Sequence, residues 1–508
     1  MMVKKAAIFI HRWIGVALCV LFLLWFPSAI GMMYWTFPTV TPADRLERSL
    51  TLDASTVVLS PQEAAARLAI SPSPVETRLN TFDGRPVYRF GGASGGGRIV
   101  YADTGEEQVE VSRPMMDRLA SAWTGQPASA ALVAPIREVD QWTIQASLRN
   151  LRSLWKYSWP NGEQLYISKS SGEVVQYTTT ASRIGAYLGP IPHWFYFTPL
   201  RKHQAWWSAI VIWSSGIATV AALLGVVVGV WIYSPSGRYR HAGAPASIPY
   251  RGQKRWHMAL GLVFGLATAT WAFSGMLSMD PFPSRAGVRG DGPGIAQALR
   301  GRVDMSAFTG KHPRQALEQL AGRQVKQLEF SSFAGEPIYL ATLAGGRSRL
   351  VPVTGDPIAE LDHQRIIDTV RQAAPEPDAV EARIIDRYDR YYLDRERQRP
   401  LPVILALMHD ADHTRYYIDP GTARVVGSYS DRQWASRWLY NGLHSLNFPW
   451  LYDYRPLWDV VVITFMLGGT ALSVTSLILA WRVLGRTLAR VFPERSAPGG
   501  PGIREDVA

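Results

Sequence analysis

Four long stretches without a charged side chain constrain the fold of this chain more than any other feature of its sequence. Residues 13–43, 204–233, 256–279 and 460–481 contain no Asp, Glu, Lys or Arg. An α-helix rises about 1.5 Å per residue, so about 20 apolar residues cross the hydrocarbon core of a bilayer. The sequence therefore predicts an α-helical membrane protein that crosses the lipid bilayer four times.

Basic residues beside the predicted spans indicate their orientation. Lys4 and Lys5 precede the first span, five basic residues lie in the loop 234–255, and Arg482 follows the fourth span. Lys and Arg collect in short loops on the cytoplasmic side of membrane proteins. We expect a multi-pass protein of the bacterial inner membrane, with both termini cytoplasmic and two long periplasmic segments. The position of these basic residues beside the spans accounts for the net charge of +12 by membrane orientation, and no nucleic-acid partner is expected.

Internal repeats divide the chain into two similar halves. The motif "FDGRPVYRF" recurs as "FAGEPIYLA", and "QLYISKSSGEVV" recurs as "RYYIDPGTARVV", each at an offset of about 250 residues. Each half contains a span, an α+β segment with an antiparallel sheet pattern, and a second span. We expect parallel repeats related by an axis along the membrane normal.

The predicted fold class is an α-helical four-span membrane bundle with two periplasmic α+β segments, built by internal duplication. The first apolar stretch is too long for the core of a signal peptide and ends without an A-x-A site, so we expect it to be retained. The predicted regions are 1–43, span 1 with the N-terminus; 44–200, first periplasmic domain; 201–233, span 2; 234–255, basic cytoplasmic loop; 256–279, span 3; 280–455, second periplasmic domain; 456–484, span 4; and 485–508, cytoplasmic tail.

The duplication sorts four of the ten histidines into two pairs. His11 and His257 begin matched spans near the cytoplasmic side, and His193 and His444 precede the other two spans at the outer side. The internal symmetry would bring the members of each pair together. Two facing neutral imidazoles on opposite sides of a flat macrocycle are the axial ligands of haem iron. We therefore predict four axial ligands for two haem groups.

Residues around the first pair are compatible with a bound porphyrin. Gly15 and Gly261 lie four residues after their histidines on the same helical face and leave room there. Close helix packing is the alternative that we favour for these glycines. Arg12 is a candidate partner for a haem propionate. Cys19 is the only cysteine, and C-x-x-C-H is absent from the sequence, so the haem would be non-covalent.

Other interpretations of these residues stay open. A histidine at a membrane boundary is commonly an interfacial polar residue without a ligand role. His203 lies nearer to span 2 than His193 and competes with it as a ligand. His409 and His413 have helical spacing for a surface metal site, although a solvated hairpin turn is favoured. The stretch 386–394, "DRYDRYYLD", is a weak candidate for an acceptor site, and we favour a strand with one aromatic face.

Several blocks resemble the PepSY-associated transmembrane helix family. They are "HRWIGVALCVLFLLWFPSAIGMM", "WHMALGLVFG", the strand and turn "YYIDP", and "LYNGLHSLNFPWL". This family includes inner-membrane ferrisiderophore reductases, which carry two b-type haems in a four-helix bundle and deliver electrons to ferric chelates outside. The resemblance implies two non-covalent haem b groups and places His11, His257, His193 and His444 at positions where the family has histidines.

The expected function is that of a haem-dependent oxidoreductase of the ferric-chelate reductase type. Electrons would pass from a membrane quinol or a separate reductase to a periplasmic acceptor such as a ferric siderophore. The predicted cytoplasmic segments are too short for a flavin or nicotinamide domain, so the donor is expected to be separate. Two alternatives are a non-redox, membrane-anchored PepSY binding or regulatory module and a metal transporter that uses His and Met. Catalytic residues stay unassigned.

Overall fold

The computed structural model describes residues 2–70, 76–91, 97–281, 294–301 and 303–491. These residues form two compact units. The helical unit contains Met1–Ile30, Ile210–Met276 and Asp459–Ala508, and the sheet unit contains Gly31–Ala209 and Leu277–Trp458. The predicted tail 485–508 is described only as far as residue 491.

Fifteen α-helices occur within these described ranges, and four of them are long. They are α1 Met2–Tyr34, α2 Pro42–Arg48, α3 Pro61–Arg67, α4 Arg113–Thr124, α5 Thr180–Leu188, α6 Pro190–Trp194, α7 Thr198–Arg201, α8 Gln204–Ile232, α9 Gln253–Leu277, α10 Ile295–Arg300, α11 Pro313–Glu318, α12 His363–Ala373, α13 Leu443–Ser445, α14 Pro449–Tyr452 and α15 Arg455–Val491. By length and composition, α1, α8, α9 and α15 are apolar enough to cross a membrane. The prediction of four helices of spanning length is confirmed.

The described part of the chain also forms sixteen strands. They are β1 Thr77–Phe82, β2 Arg85–Phe90, β3 Arg98–Tyr101, β4 Leu132–Ile136, β5 Leu154–Ser158, β6 Gln164–Ser168, β7 Val174–Thr178, β8 Tyr239–His241, β9 Ala244–Ala246, β10 Val325–Phe333, β11 Glu336–Leu343, β12 Ser348–Pro352, β13 Val380–Ile385, β14 Val403–Met408, β15 Arg415–Asp419 and β16 Arg424–Tyr429. All strands pair in antiparallel registers, as the alternating pattern predicts.

One sheet of the sheet unit combines strands from both halves of the chain. Its order is β12-β11-β10-β1-β2-β3, and the two halves meet where β1 pairs with β10. In that register Arg78 lies opposite Glu329, and Leu79 lies opposite Leu328. The sequence predicted one α+β domain per half, whereas this sheet joins the two long segments into one compact unit. Each half also has its own four-stranded sheet, β4–β7 or β13–β16.

The repeated motifs have the same local structure in both halves. The turns β1–β2 and β10–β11 each have two central residues with positive φ, Asp83 and Gly84 in one and Ala334 and Gly335 in the other. In a two-residue hairpin loop, this backbone conformation matches the right-handed twist of the flanking strands. The β6–β7 and β15–β16 pairs carry a register shift at corresponding positions. The repeats are therefore repeats of local structure as well as of sequence.

Matched tyrosines attach the second strand of each motif to a short helix. The Tyr88 hydroxyl donates to the Leu59 carbonyl at 2.7 Å, and the Tyr339 hydroxyl donates to the Lys311 carbonyl at 2.5 Å. Each carbonyl precedes the residue that caps a helix, α3 in the first half and α11 in the second. Ser60 caps α3 in a capping box that the Glu63 side chain completes. These buried tyrosines thereby fix the helices on the shared sheet.

Candidate functional site

The first histidine pair consists of His11 on α1 and His257 on α9, both in the helical unit. Their ring centroids lie 6.2 Å apart, and the ring planes make an angle of 37°. Both side chains are partly buried. The two residues that the duplication matched by sequence therefore face each other in space.

Hydrogen bonds from the neighbouring span of the same half orient both rings of the first pair. The His11 Nδ1 lies 2.9 Å from the carbonyl oxygen of Ala221, so Nδ1 carries the proton and donates it. The His257 Nδ1 lies 3.2 Å from the Thr475 hydroxyl and 3.3 Å from the Ser476 hydroxyl. Both hydroxyls donate their own protons to the carbonyl of Leu472, so they accept from Nδ1–H. Nε2 then carries the lone pair in both imidazoles.

A glycine on α8 allows the His11 ring to approach that helix. A Cβ atom at Gly225 would lie 2.6 Å from Cε1 of His11, closer than real contacts allow. By contrast, a Cβ atom at Gly15 would meet no heavy atom of the described residues within 4 Å, and one at Gly261 would meet only a Leu472 methyl group at 3.9 Å. Close packing against another described helix is therefore not seen at Gly15, and at Gly261 the approach of α15 leaves room for a methyl group.

The second histidine pair consists of His193 on α6 and His444 on α13, both in the sheet unit. Their ring centroids lie 6.1 Å apart, and the ring planes make an angle of 59°. His203, the rival candidate, is exposed in the connection between α7 and α8. The structure therefore brings His193, rather than His203, to His444.

Each histidine of the second pair is followed by a reverse turn, and the two turns have the same backbone conformation. Two residues after each histidine the backbone enters the left-handed region, at Phe195 with φ 52° and at Leu446 with φ 48°. L-residues with side chains enter this region at a cost in energy, so neighbouring contacts must hold the turn.

Buried tryptophans supply that contact in both halves. The indole N–H of Trp207 donates to the Trp194 carbonyl at 2.8 Å, and that of Trp458 donates to the Ser445 carbonyl at 3.1 Å. Each accepting carbonyl belongs to the residue directly after a histidine of the second pair. The tryptophans that recur fourteen residues after these histidines therefore fix the backbone of the turns.

Ring spacing tests whether a bis-imidazole metal centre fits these pairs. With a metal–nitrogen bond of about 2 Å on each side and a nitrogen about 1.2 Å from each ring centre, the centroids lie about 6.4 Å apart. Two imidazoles in an in-line hydrogen bond of about 3 Å would have centroids about 5.4 Å apart. The observed 6.2 Å and 6.1 Å lie closer to the first spacing than to the second. The residues present therefore fit a haem iron between the rings of each pair.

Arg12 lies one residue beyond His11 and is exposed. Its guanidinium carbon is 5.6 Å from the Phe9 ring centre and 5.5 Å from that of Trp13. This places the cation between an exposed and a half-buried aromatic side chain of the same helix. Its contact with a haem propionate stays a prediction.

The candidate stretch 386–394 follows β13 as a loop, so our interpretation of it as a strand is wrong. The Asp389 carboxylate accepts from the backbone N–H groups of Tyr391 and Tyr392, at 2.8 and 2.7 Å, which turns the chain. Tyr392 is buried and stacks on Tyr417 with centroids 4.7 Å apart. Burial raises the pKa of Tyr392 to about 12. These tyrosines belong to the packed face of the β13–β16 sheet.

His409 and His413 lie in the connection between β14 and β15, as the hairpin interpretation predicts. The His413 Nδ1 is 2.8 Å from a carboxylate oxygen of Asp431, and both side chains are largely exposed. This local hydrogen bond to Asp431 gives His413 a partner within the hairpin connection.

A buried cation beside the second pair was missed by the sequence reasoning. Arg437 lies on a π-helix, Ala435–Gly442, that leads into α13. Only 7% of its surface is exposed. On the same π-helix, the Tyr440 ring stacks on His444 at a centroid distance of 5.5 Å. π-Helical segments are rare and often occur at functional sites.

Fold and site together define a class: a protein with four helices of membrane-spanning length, antiparallel sheets and two facing histidine pairs. No model of a known protein family matches the chain, and no curated protein sequence matches it either.

Proposed function

We propose that each histidine pair holds one haem b and that the protein carries electrons across a membrane to an acceptor on the far side. The spacing of the two pairs, 6.2 Å and 6.1 Å between ring centroids, is the observation that carries this proposal. The resemblance of the sequence blocks around these histidines to di-haem ferrisiderophore reductases supports the same conclusion.

When bound, haem would supply reversible one-electron chemistry at its iron. His11 and His257 would present Nε2 to the metal, because their Nδ1–H groups are committed to α8 and α15. A hydrogen bond at Nδ1 fixes the ring orientation and raises the basicity of the ligating nitrogen. His193 and His444 would be positioned by backbone turns that Trp207 and Trp458 hold in place.

The donor and the acceptor follow from the predicted topology and the family resemblance. A membrane quinol or a separate reductase would deliver electrons to the first pair, on the cytoplasmic side of a bacterial inner membrane. The second pair would reduce a periplasmic acceptor such as a ferric siderophore. One electron converts one Fe(III) to Fe(II), and the lower charge weakens the hold of hard oxygen ligands on the metal.

Absorption spectroscopy of the detergent-purified full chain tests the proposal. Oxidised and dithionite-reduced spectra, with a pyridine haemochrome count, should show two b-type haems per chain. His257→Ala should lose the haem of the first pair, and His444→Ala should lose that of the second. His203→Ala is the matched control, because His203 is exposed and should leave both haems in place.

A chain expressed with ample haem that shows no Soret band would overturn the proposal. That result would leave the non-redox PepSY module as the better hypothesis, since membrane anchors need no matched histidines. Uptake of a metal ion by vesicles without bound porphyrin would favour the transporter instead. If two haems are present, proteoliposomes with a quinol inside should reduce an external ferric chelate, and loss of either haem should stop that reduction.

A further inference from the structure

Arg437 is a buried cation whose hydrogen-bonding capacity is only partly used. Its Nε donates to the Arg390 carbonyl at 2.5 Å, and its Nη2 donates to the Asn447 carbonyl at 2.9 Å. Nη1 is buried and has no hydrogen-bond partner among the described residues. An N–H group that is buried without an acceptor costs about 1–3 kcal/mol, and more when it is charged.

The charge of Arg437 is not balanced by a carboxylate in contact with it. In the described part of the chain no Asp or Glu oxygen forms an ion pair with this guanidinium. Asp389 influences it from a distance, but that carboxylate accepts the Tyr417 hydroxyl at 2.8 Å and two backbone N–H groups. Burial therefore lowers the pKa of Arg437. A cation in such a position is costly unless an anion accompanies it.

Lys311 shows what a satisfied buried cation looks like in the same unit. It is 6% exposed, and its ammonium group donates to the Gln319 side chain at 2.9 Å and to the carbonyls of Pro352 and Gly355 at 2.6 and 2.7 Å. An ammonium group has three N–H donors, so all of them are used. Lys311 therefore uses all of its donors, whereas Arg437, whose guanidinium carbon also lies 4.5 Å from the Trp438 ring centre, keeps Nη1 without an acceptor among the described residues.

The unused donor of Arg437 lies at the base of the turn that carries His444. The guanidinium bonds to the carbonyl of Asn447, which is three residues beyond that histidine. The side-chain oxygen of Asn447 is also buried without a partner in the described residues. Exchanging the oxygen and nitrogen of this amide would place an NH₂ donor there, and amide orientation is assigned from hydrogen bonding. Nη1 of Arg437 and the side-chain amide of Asn447 would then both be buried donors, without an acceptor among the described residues, in the segment that carries His444.

We propose that Arg437, assisted by Asn447, binds a carboxylate, and that this carboxylate is a propionate of the haem held by the second histidine pair. This inference rests on the function proposed above. The planar guanidinium matches a carboxylate with paired N–H donors, and a charge-assisted bond in a buried position is strong. Arg437 is then the positioning residue of this haem, in the role that the sequence assigned to Arg12 at the first pair.

Redox titration of the purified full chain tests this assignment. Arg437→Gln should lower the midpoint potential of the second-pair haem, because loss of a nearby positive charge favours the ferric state. A tenfold change in the reduction equilibrium, which is about 59 mV for a one-electron couple, is the expected size. The first-pair haem should keep its midpoint potential. Its absorption bands can be identified in His444→Ala, which should retain only this haem.

Two further variants keep the test decisive. Arg432→Gln removes an exposed charge from the same segment, paired with Asp412, and should leave both potentials unchanged. Arg437→Lys keeps the charge but loses the planar fork, and should give a smaller shift in the same direction. If Arg437→Gln does not fold, both haems should be lost. The potential of the second-pair haem is then measured in Arg437→Lys instead.

Several results would overturn the assignment while leaving the proposed function intact. Two haems with unchanged potentials in both Arg437 variants would mean that Arg437 does not contact the haem. A second-pair potential that differs between phosphate and chloride buffers in the unsubstituted chain would mean that a free anion occupies the site. Absence of haem from the unsubstituted chain would instead overturn the proposed function itself.

Discussion

The two histidine pairs have nearly the same ring separation, but they lie in different local structures. The first pair lies within long helices, and side-chain hydrogen bonds from its rings to α8 and α15 orient it. The second pair lies at the ends of short helices, α6 and α13, and indole N–H groups fix the backbone beside each histidine. The hydrogen bonds of the first pair involve the imidazoles themselves, and in the second pair indole groups bond to the backbone beside each histidine.

This difference indicates which feature the protein keeps constant. Ring separation stays near 6 Å in two different local structures, so this spacing is the feature that the two pairs share. A helix-borne histidine is rigid because the backbone around it is fully hydrogen-bonded. A histidine beside a residue with positive φ depends on the contacts that hold that turn in place. Substitutions of the residues that contact one pair should therefore affect that pair and leave the other unchanged.

The largest effect is expected from Gly225→Val. A Cβ atom at this position would lie 2.6 Å from Cε1 of His11, so the imidazole must leave its place against α8. The hydrogen bond to Ala221 would be lost with it. We expect loss of the first-pair haem and retention of the second, measured by the haemochrome count and the reduced spectrum.

Gly485→Val is the matched control for this substitution. Gly485 also lies in a spanning helix and is exposed, and a Cβ atom added there would meet no heavy atom of the described residues within 4 Å. This control should keep both haems. Retention of both haems in Gly225→Val would show that the His11 ring does not need its contact with α8.

An intermediate effect is expected from Trp207→Phe, which removes one indole N–H and keeps an aromatic ring. The Trp194 carbonyl loses its donor, at a cost of about 1 kcal/mol, and the turn that carries His193 loosens. The second-pair haem should therefore transfer to an apo-globin about fivefold faster, because about 1 kcal/mol corresponds to that factor. The first-pair haem should transfer at an unchanged rate.

The neighbouring Trp206→Phe provides the control, because Trp206 is 70% exposed. It should leave the transfer rates of both haems unchanged. Equal acceleration of both haems by Trp207→Phe would show that the substitution disturbs the whole bundle, and the contrast between the two pairs would then fail.

Much of the fold follows from the sequence because its signals are local. Uncharged stretches predict the four long helices, and Ser60 with Glu63 predicts the capping box of α3. The pairing of β1 with β10 was not predicted, because it joins strands about 250 residues apart and no local pattern encodes it. The loop at 386–394 was also missed, since its aromatic residues resemble a strand while Asp389 turns the chain.

The residues of the candidate site also fall into those that the sequence could predict and those that it could not. Duplication predicts which histidines pair, because matched positions in two similar halves occupy matched places. The hydroxyls of Thr475 and Ser476 are a signal that was available, since polar side chains in a predicted span need partners. The Ala221 carbonyl left no signal because every residue has one. Arg437 left none either, since its burial depends on the folded sheet unit.

The smallest effect, and the finest test of the contrast between the pairs, is expected from Ser476→Ala. His257 Nδ1–H has two hydroxyl acceptors, Ser476 and Thr475, so removal of one leaves the ring oriented by the other. A weaker hydrogen bond at Nδ1 makes the imidazole a poorer electron donor and destabilises the ferric state. The midpoint potential of the first-pair haem should rise slightly, by less than about a twofold change in the reduction equilibrium, and that of the second should not move. Adding Thr475→Val should extend the shift in the same direction. A shift of the second-pair haem, or none in the double variant, would show that these hydroxyls do not tune His257.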